Sequence, residues 1–281
     1  MKNNHISEKQ IEEFREKGVL VIKSFYDLKE EIEPIQLAIW RIIGLLIKKY
    51  NLDIVQREFS PATFDFGYRE LIAKNRSYGA EVYDAIKQIH AFVHYVSLKK
   101  NETLFNSIRN TDNCGISAQG YGIRIDNPNE EKYRSLWHYE YRDQFRSTDG
   151  IVFWSPLVPI TKELGPVQIC PKSHKDGLRR SYLNDIDNPE KTGAYALRLE
   201  NEEELIRKYG IIDPLSEPGD LVIMDFLTIH SSGKNIGNRS RWSMQFRYFS
   251  FDHPSGINIG WKGVSNNVKL AELHPELVVK R

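Results

Sequence analysis

The chain has only two cysteines in 281 residues, Cys114 and Cys170, too few for a disulfide framework and without metal-binding spacing. Both read as small buried apolar side chains in a reducing compartment. Neither sign of charge is in excess: 39 basic residues face 38 acidic ones, and no run of like charge forms a basic arm or an acidic tail. That balance argues against a general field for nucleic acid or a membrane surface. Long hydrophobic runs are missing as well. The most apolar stretch, residues 35–47, is interrupted by Arg41 and is too short to span a bilayer. The opening MKNNHISEKQIEEF has no apolar core of a secretory signal, so the expectation is a cytoplasmic protein.

The length suits one large domain with a helical annex. Ser7 with Gln10 is a capping-box signature, Ile11 and Phe14 continue an amphipathic helix, and Gly18 ends it before a strand at 19–25. Residues 28–110 read as mostly helical, including 35–50 and 78–107, with a loop near 60–66. After Thr111 short strands alternate with Gly, Pro and Asn turns, as in an antiparallel sandwich or barrel. They are expected near 115–125, 134–141, 150–158, 166–170, 219–224, 227–231 and 240–251, with a type II turn at Pro218-Gly219. This β core, about 111–255, carries a charged insertion at 176–216 and is followed by a tail at 256–281. Within the insertion, Asn201 with Glu204 reads as a helix N-cap box and Gly210 as its stop. An interruption this long is either a lid or a decoration, and both readings stay open.

The chemistry sits in the β half. His138-Tyr139-Glu140 lies in LWHYEYRD, and on a strand His138 and Glu140 share a face. A lone His230 follows in DFLTIHSSGKN, and Arg241 comes eleven residues later, behind a turn-rich hairpin. Two histidines and one carboxylate make the facial triad that holds non-haem iron(II) with open positions. An H-x-E pair alone is weak, since such residues are often ordinary surface groups. The strand after the hairpin adds weight. Arg241, Ser243, Gln245 and Arg247 alternate with Trp242, Met244, Phe246 and Tyr248, so a polar face opposes a wholly apolar one. A polar cavity lined by an arginine beside a metal can grip a carboxylate through two parallel hydrogen bonds.

These segments resemble the phytanoyl-CoA dioxygenase family of iron(II)/2-oxoglutarate-dependent oxygenases. SEKQIEEFREKGVLVIKSF is similar to its first helix and strand, and LWHYEY to its metal-binding H-x-D/E. VFWSPLVPITKELGPVQICPKSH resembles its central strand and G-P…P-G-S-H element, and PGDLVIMDFLTIHSSGKN its distal-histidine strand. The resemblance runs from about residue 7 to 250 and implies a double-stranded β-helix (jelly-roll, cupin-like) barrel flanked by N-terminal helices, a mixed α/β chain with an all-β core. It implies iron bound by His138, Glu140 and His230, and 2-oxoglutarate held by Arg241 with the Ser232 hydroxyl. Trp154 is expected to pack near the co-substrate, and Gln119 is a weaker candidate for the same pocket. The implied reaction consumes dioxygen, converts 2-oxoglutarate to succinate and carbon dioxide, and hydroxylates a small-molecule substrate.

Two positions depart from the family pattern: Glu140 replaces the commoner aspartate, and Lys172 stands where P-G-S-H has glycine. His174 in that element reads as structural. Glu140 also argues against halogenation, because halogenating relatives lack the carboxylate. Tyr139, Gln245 and Arg247 are the candidate substrate contacts, with Tyr141 and Arg142 near the pocket mouth. They favour a polar or acidic metabolite, and no acyl-CoA signature is present. Two other readings remain: a cupin-like metal enzyme that does not use 2-oxoglutarate, and a non-catalytic binding protein on the same scaffold.

Overall fold

Helix α1 (Glu8–Lys17) starts at its capping box. Gln10 N donates to Ser7 Oγ at 3.3 Å and Ser7 N to Gln10 Oε1 at 3.1 Å, satisfying two amides that a helix start leaves open. Ile11 and Phe14 are buried, and the helix stops at Gly18, whose φ of 69° is left-handed. The computed structural model describes residues 6–185, 187–190 and 196–280.

The helical annex follows as α2 (Glu33–Lys49), α3 (Tyr68–Lys74), α4 (Arg76–Ile86), α5 (His90–Val96) and α6 (Lys99–Arg109), with turns across 61–67. In α2 the four-residue spacing of Ile35, Ile39, Ile43 and Ile47 buries all four, each contributing about 1.5–3 kcal/mol. The single helix expected over 78–107 is three, broken at 87–89 and 97–98. Ile86, Ile89, Phe92, Tyr95 and Val96 are all buried, so the apolar spacing runs across the first break and hides it from a periodicity argument. No helix among the described residues is long and apolar enough to cross a membrane.

The main sheet is antiparallel. It is built from β1 (Val19–Ile22), β2 (Cys114–Ile116), β3 (Gly122–Asp126), β4 (Gly150–Pro156), β8 (Leu221–Asp225) and β10 (Arg241–Ser250), in the order β1-β8-β4-β10-β2, with β3 also on β10. The strand expected at 115–125 is therefore two, both paired with β10 and separated by a turn. On β10 the apolar face turns to the helices. Trp242 lies edge-on to Tyr68 at 4.9 Å, Phe246 to Tyr95 at 5.7 Å, and Tyr248 packs on Phe105 at 5.9 Å. Arg241, Gln245 and Arg247 project from the other face into a cavity, as the alternation predicts.

Across that cavity lies a second, smaller sheet of β5 (Val167–Ile169) and β9 (His230–Ser232). It is extended only by single bridges, His138 to His230 and Ile169 to Ile212. The described strands do not close into the expected barrel. The strand expected at 134–141 shrinks to one bridge because Glu140 is already helical, at φ −66° and ψ −39°, and leads into α7 (Tyr141–Gln144). The insertion holds a short hairpin, β6 (Ser181–Tyr182) with β7 (Arg198–Leu199), and α8 (Glu202–Tyr209). Asn201 does not form the expected N-cap box: its φ is 55° and its side chain makes no cap hydrogen bond. The chain continues through α9 (Pro254–Ile259) and α10 (Leu270–Leu273).

Two positions carry backbone constraints. A β-carbon on Gly18 would lie 2.3 Å from His174 Nδ1 and 2.5 Å from Thr228 Oγ1. Lys172, where the family pattern has glycine, itself adopts a left-handed φ of 66°. We expect Gly18→Ala to destabilise the protein by about 2 kcal/mol or more, combining a clash with a disfavoured φ. Urea unfolding with an unchanged m-value and a lowered midpoint checks this.

Candidate metal centre

His138 and His230, ninety-two positions apart in the chain, are joined by reciprocal backbone hydrogen bonds of 3.0 and 2.8 Å. The two rings lie with centroids 4.2 Å apart. In each ring Nδ1 is anchored by a carbonyl, Leu136 O at 2.7 Å for His138 and Thr228 O at 2.9 Å for His230. That assigns Nδ1–H as donor and leaves Nε2 with a free lone pair. Glu140 enters from the first turn of α7, and the ligand atoms of all three residues lie within 4.8 Å of one another.

The electrostatics suit a cation. Burial, followed by the neighbouring His230, holds the His138 imidazole well below its usual range, so it stays neutral. Burial alone would raise the Glu140 carboxyl, but the Arg247 guanidinium beside it holds it far below the ordinary carboxylate range. Glu140 Oε1 accepts from Arg247 Nε at 2.8 Å. Its Oε2 is buried with no hydrogen-bond partner, 3.6 Å from His230 Nε2. Two imidazole nitrogens and an orphaned carboxylate oxygen form a donor set of the borderline, nitrogen-and-oxygen type that iron(II) accepts.

The cavity beside these residues measures about 190 Å3. Arg241, 1 % exposed, stands in its wall. It donates to Gly165 O, to Ser232 Oγ at 3.0 Å and to Asp126 Oδ2 at 2.7 Å, while its Nε has no partner. Gly165 can present its carbonyl there because it meets Gly233 and Lys234 backbone to backbone. A β-carbon on Gly165 would lie 2.5 Å from the Lys234 carbonyl. Asp126 also holds Arg124 at 2.9 Å; burial works against its charge, and Arg124 and Arg241 together keep it ionised.

Of the residues expected from sequence, Trp154, Ser232, Gln245 and Arg247 line this cavity with the three ligands and Arg241. Tyr139 does not. It is fully buried outside the cavity lining, and its hydroxyl donates to Arg179 O at 2.7 Å. Gln119 is exposed in the turn between β2 and β3, with φ 61°, away from the pocket. Tyr141 is buried against His274, its hydroxyl 2.8 Å from Nε2, and Arg142 does line the cavity. His174 is structural, with Nε2 donating to Arg15 O at 3.0 Å. Sequence reasoning missed Asp126, Arg124, Asp143 and Gln144. The i, i+2 spacing of Arg124 and Asp126 on β3 was the available signal for the first two.

The family model for phytanoyl-CoA dioxygenase matches residues 14–243. The chain belongs to the phytanoyl-CoA dioxygenase family. Solved structures with the same fold include the epimerase SnoN in complex with Fe3+, alpha ketoglutarate and nogalamycin RO, 13 % identical over 90 % of this chain and 88 % of that one, with TM-score 0.53. EvdO2 from Micromonospora carbonacea var. aurantiaca, complexed with 2-oxoglutarate, is 15 % identical over 88 % and 91 %, also at 0.53. EctD from S. alaskensis, with 2-oxoglutarate and 5-hydroxyectoine, is 16 % identical over 89 % and 78 %, at 0.50. At these identities the likeness is one of fold. No curated protein matches the chain by sequence.

The Arg247–Glu140 pair yields a pH-dependent prediction. Removing one partner of a buried ion pair costs about 3–5 kcal/mol, so Arg247→Met should be destabilised on that scale at pH 7. Glu140 has a lowered folded pKa, so its stabilisation is present above the unfolded value of about 4.3 and is lost as pH falls towards the folded one. The stability gap between Arg247→Met and the natural chain should therefore narrow on acidification below about pH 4.3. Denaturant unfolding from pH 7 to pH 3 measures it, and a constant gap would contradict the assignment.

Proposed function

We propose that the protein is an iron(II)- and 2-oxoglutarate-dependent oxygenase, a single-domain enzyme that hydroxylates a small molecule. The observation carrying this reading is the convergence of His138, His230 and an orphaned Glu140 oxygen beside a buried arginine with an unpartnered Nε. The same reading takes the two facing sheets as a double-stranded β-helix with a short minor sheet. Fe3+ and alpha ketoglutarate in the related SnoN structure, and 2-oxoglutarate in those of EvdO2 and EctD, support the choice of cofactor and co-substrate.

His138, Glu140 and His230 would hold the iron, leaving positions for the co-substrate and dioxygen. Bound there, iron would supply dioxygen activation coupled to decarboxylation of 2-oxoglutarate, giving succinate, carbon dioxide and one oxygen atom for the substrate C–H bond. Arg241 Nε and the Ser232 hydroxyl fix the distal carboxylate of 2-oxoglutarate, and Asp126 holds Arg241 in place for it. Trp154 walls the cavity. Arg247 takes one Glu140 oxygen and so turns the other towards the metal. The carboxylate at Glu140 occupies the position a halide would need, which favours hydroxylation over halogenation. A cupin-like enzyme working without 2-oxoglutarate has no use for the Arg241 arrangement.

Anaerobic titration of the iron(II)-loaded protein with 2-oxoglutarate should produce the weak visible charge-transfer band of chelation. Arg241→Ala should raise the 2-oxoglutarate Kd tenfold or more, since a charge-assisted hydrogen bond contributes about 1.5–3 kcal/mol. Glu140→Ala should abolish hydroxylated product. An iron-loaded protein without the band would sink the reading.

A further inference from the structure

The cavity at the metal centre has a neighbouring space across part of its wall. Arg142, Asp143 and Leu197 line it and also line an outer groove of about 630 Å3. One wall of the groove comes from the insertion, with Leu183 and Ala196, and the other from the segment before and within α10, with Val264, Val268 and Ala271. Leu183 and Val264 are 36 % and 40 % exposed, which leaves apolar surface on both walls open to water.

The junction between the two spaces is polar and unsatisfied. Arg142 is 2 % exposed, yet its contacts are long: 3.5 Å to Ser181 Oγ and 3.5 Å to Asp143 Oδ2. Its Nε has no partner, nor have Asp143 Oδ1 and Gln144 Oε1. Buried polar atoms left open in this way are strongly disfavoured unless a ligand or water completes them. Together they present one donor and two acceptors.

Charge narrows the choice. Arg142 is paired with Asp143, and Arg247 with Glu140. Arg124 and Arg241 both pair with Asp126, on the wall by Ser232 where the co-substrate's distal carboxylate is placed. No cation at the junction is uncompensated among the described residues lining it.

We infer that the substrate is an uncharged amphipathic molecule. A hydroxyl or amide group is held at the junction by Arg142, Asp143 and Gln144, and an apolar body lies in the outer groove. The carbon oxidised is then one close to the polar group, since only the inner end reaches the metal cavity. This inference rests on the oxygenase reading for the reaction and on the two spaces for the ligand class. It narrows the polar or acidic metabolite expected from sequence to a neutral one.

The test is equilibrium binding of octanamide, sodium octanoate and propanamide to the full chain, with manganese(II) and 2-oxoglutarate present. Octanamide should bind at least tenfold more tightly than octanoate, which carries a charge, and than propanamide, which lacks the tail. Leu183→Asp and Ala271→Asp, on opposite walls of the groove, should each remove most of the tail's advantage. Asp143→Asn should bring octanoate within threefold of octanamide. Octanoate binding as tightly as octanamide in the natural chain would overturn the proposal. So would octanamide affinity unchanged in both groove variants, or no binding of octanamide. The anaerobic 2-oxoglutarate titration separates the two ideas. Lost there with the discrimination intact, the oxygenase reading fails alone; with the band present and no discrimination, the substrate class fails alone.

Discussion

The reciprocal hydrogen bonds between the backbones of His138 and His230 tie a segment leaving the helical half of the chain to the strand that leads into β10. Everything at the site is placed relative to that pair. Through His230 the join reaches β5, whose preceding glycine presents a carbonyl to Arg241. Through His138 it reaches Glu140 two residues on, and Arg247 then closes the circuit from β10. A change that parted the two strands would misplace both imidazoles, the carboxylate and the anchoring arginine together.

The cavity gathers four arginines against three carboxylates, nearly all of it buried. Buried ion pairs of this kind contribute little net stability, because desolvation offsets most of their attraction. Their role is directional. Asp126 orients Arg124 and Arg241, Glu140 orients Arg247, and Asp143 lies 3.5 Å from Arg142. The stability to support this comes from the other side of β10, where Trp242, Phe246 and Tyr248 pack into the helical annex.

Sequence reasoning picked out His138, Glu140, His230 and Arg241, which the fold brings together, and the two-faced character of β10, because each rests on local rules: donor chemistry, spacing from His230, and alternation along a regular strand. It failed where local and long-range forces pull apart. Residues 134–141 alternate like a strand, yet Tyr139 and Tyr141 find burial without one, and Glu140 is helical. The barrel that the resemblance implied needs that segment paired along its length, so its loss leaves the smaller sheet short. Asn201 and Gln119 both adopt left-handed backbone angles that no residue pattern announced. Asp143 and Gln144 look like ordinary solvated residues, and only the turn of α7 brings them to the cavity.

That turn has a further consequence. Asp143 N and Gln144 N both donate to the carbonyl of Glu140, each at 3.0 Å, so a metal ligand and its substrate-facing neighbours belong to one peptide frame. A strand-borne carboxylate could swivel towards an ion without disturbing its neighbours. Here a shift of the Glu140 backbone would carry Asp143 and Gln144 with it. The carboxylate and the polar groups of Arg142, Asp143 and Gln144 along the cavity wall ride on one short helical turn.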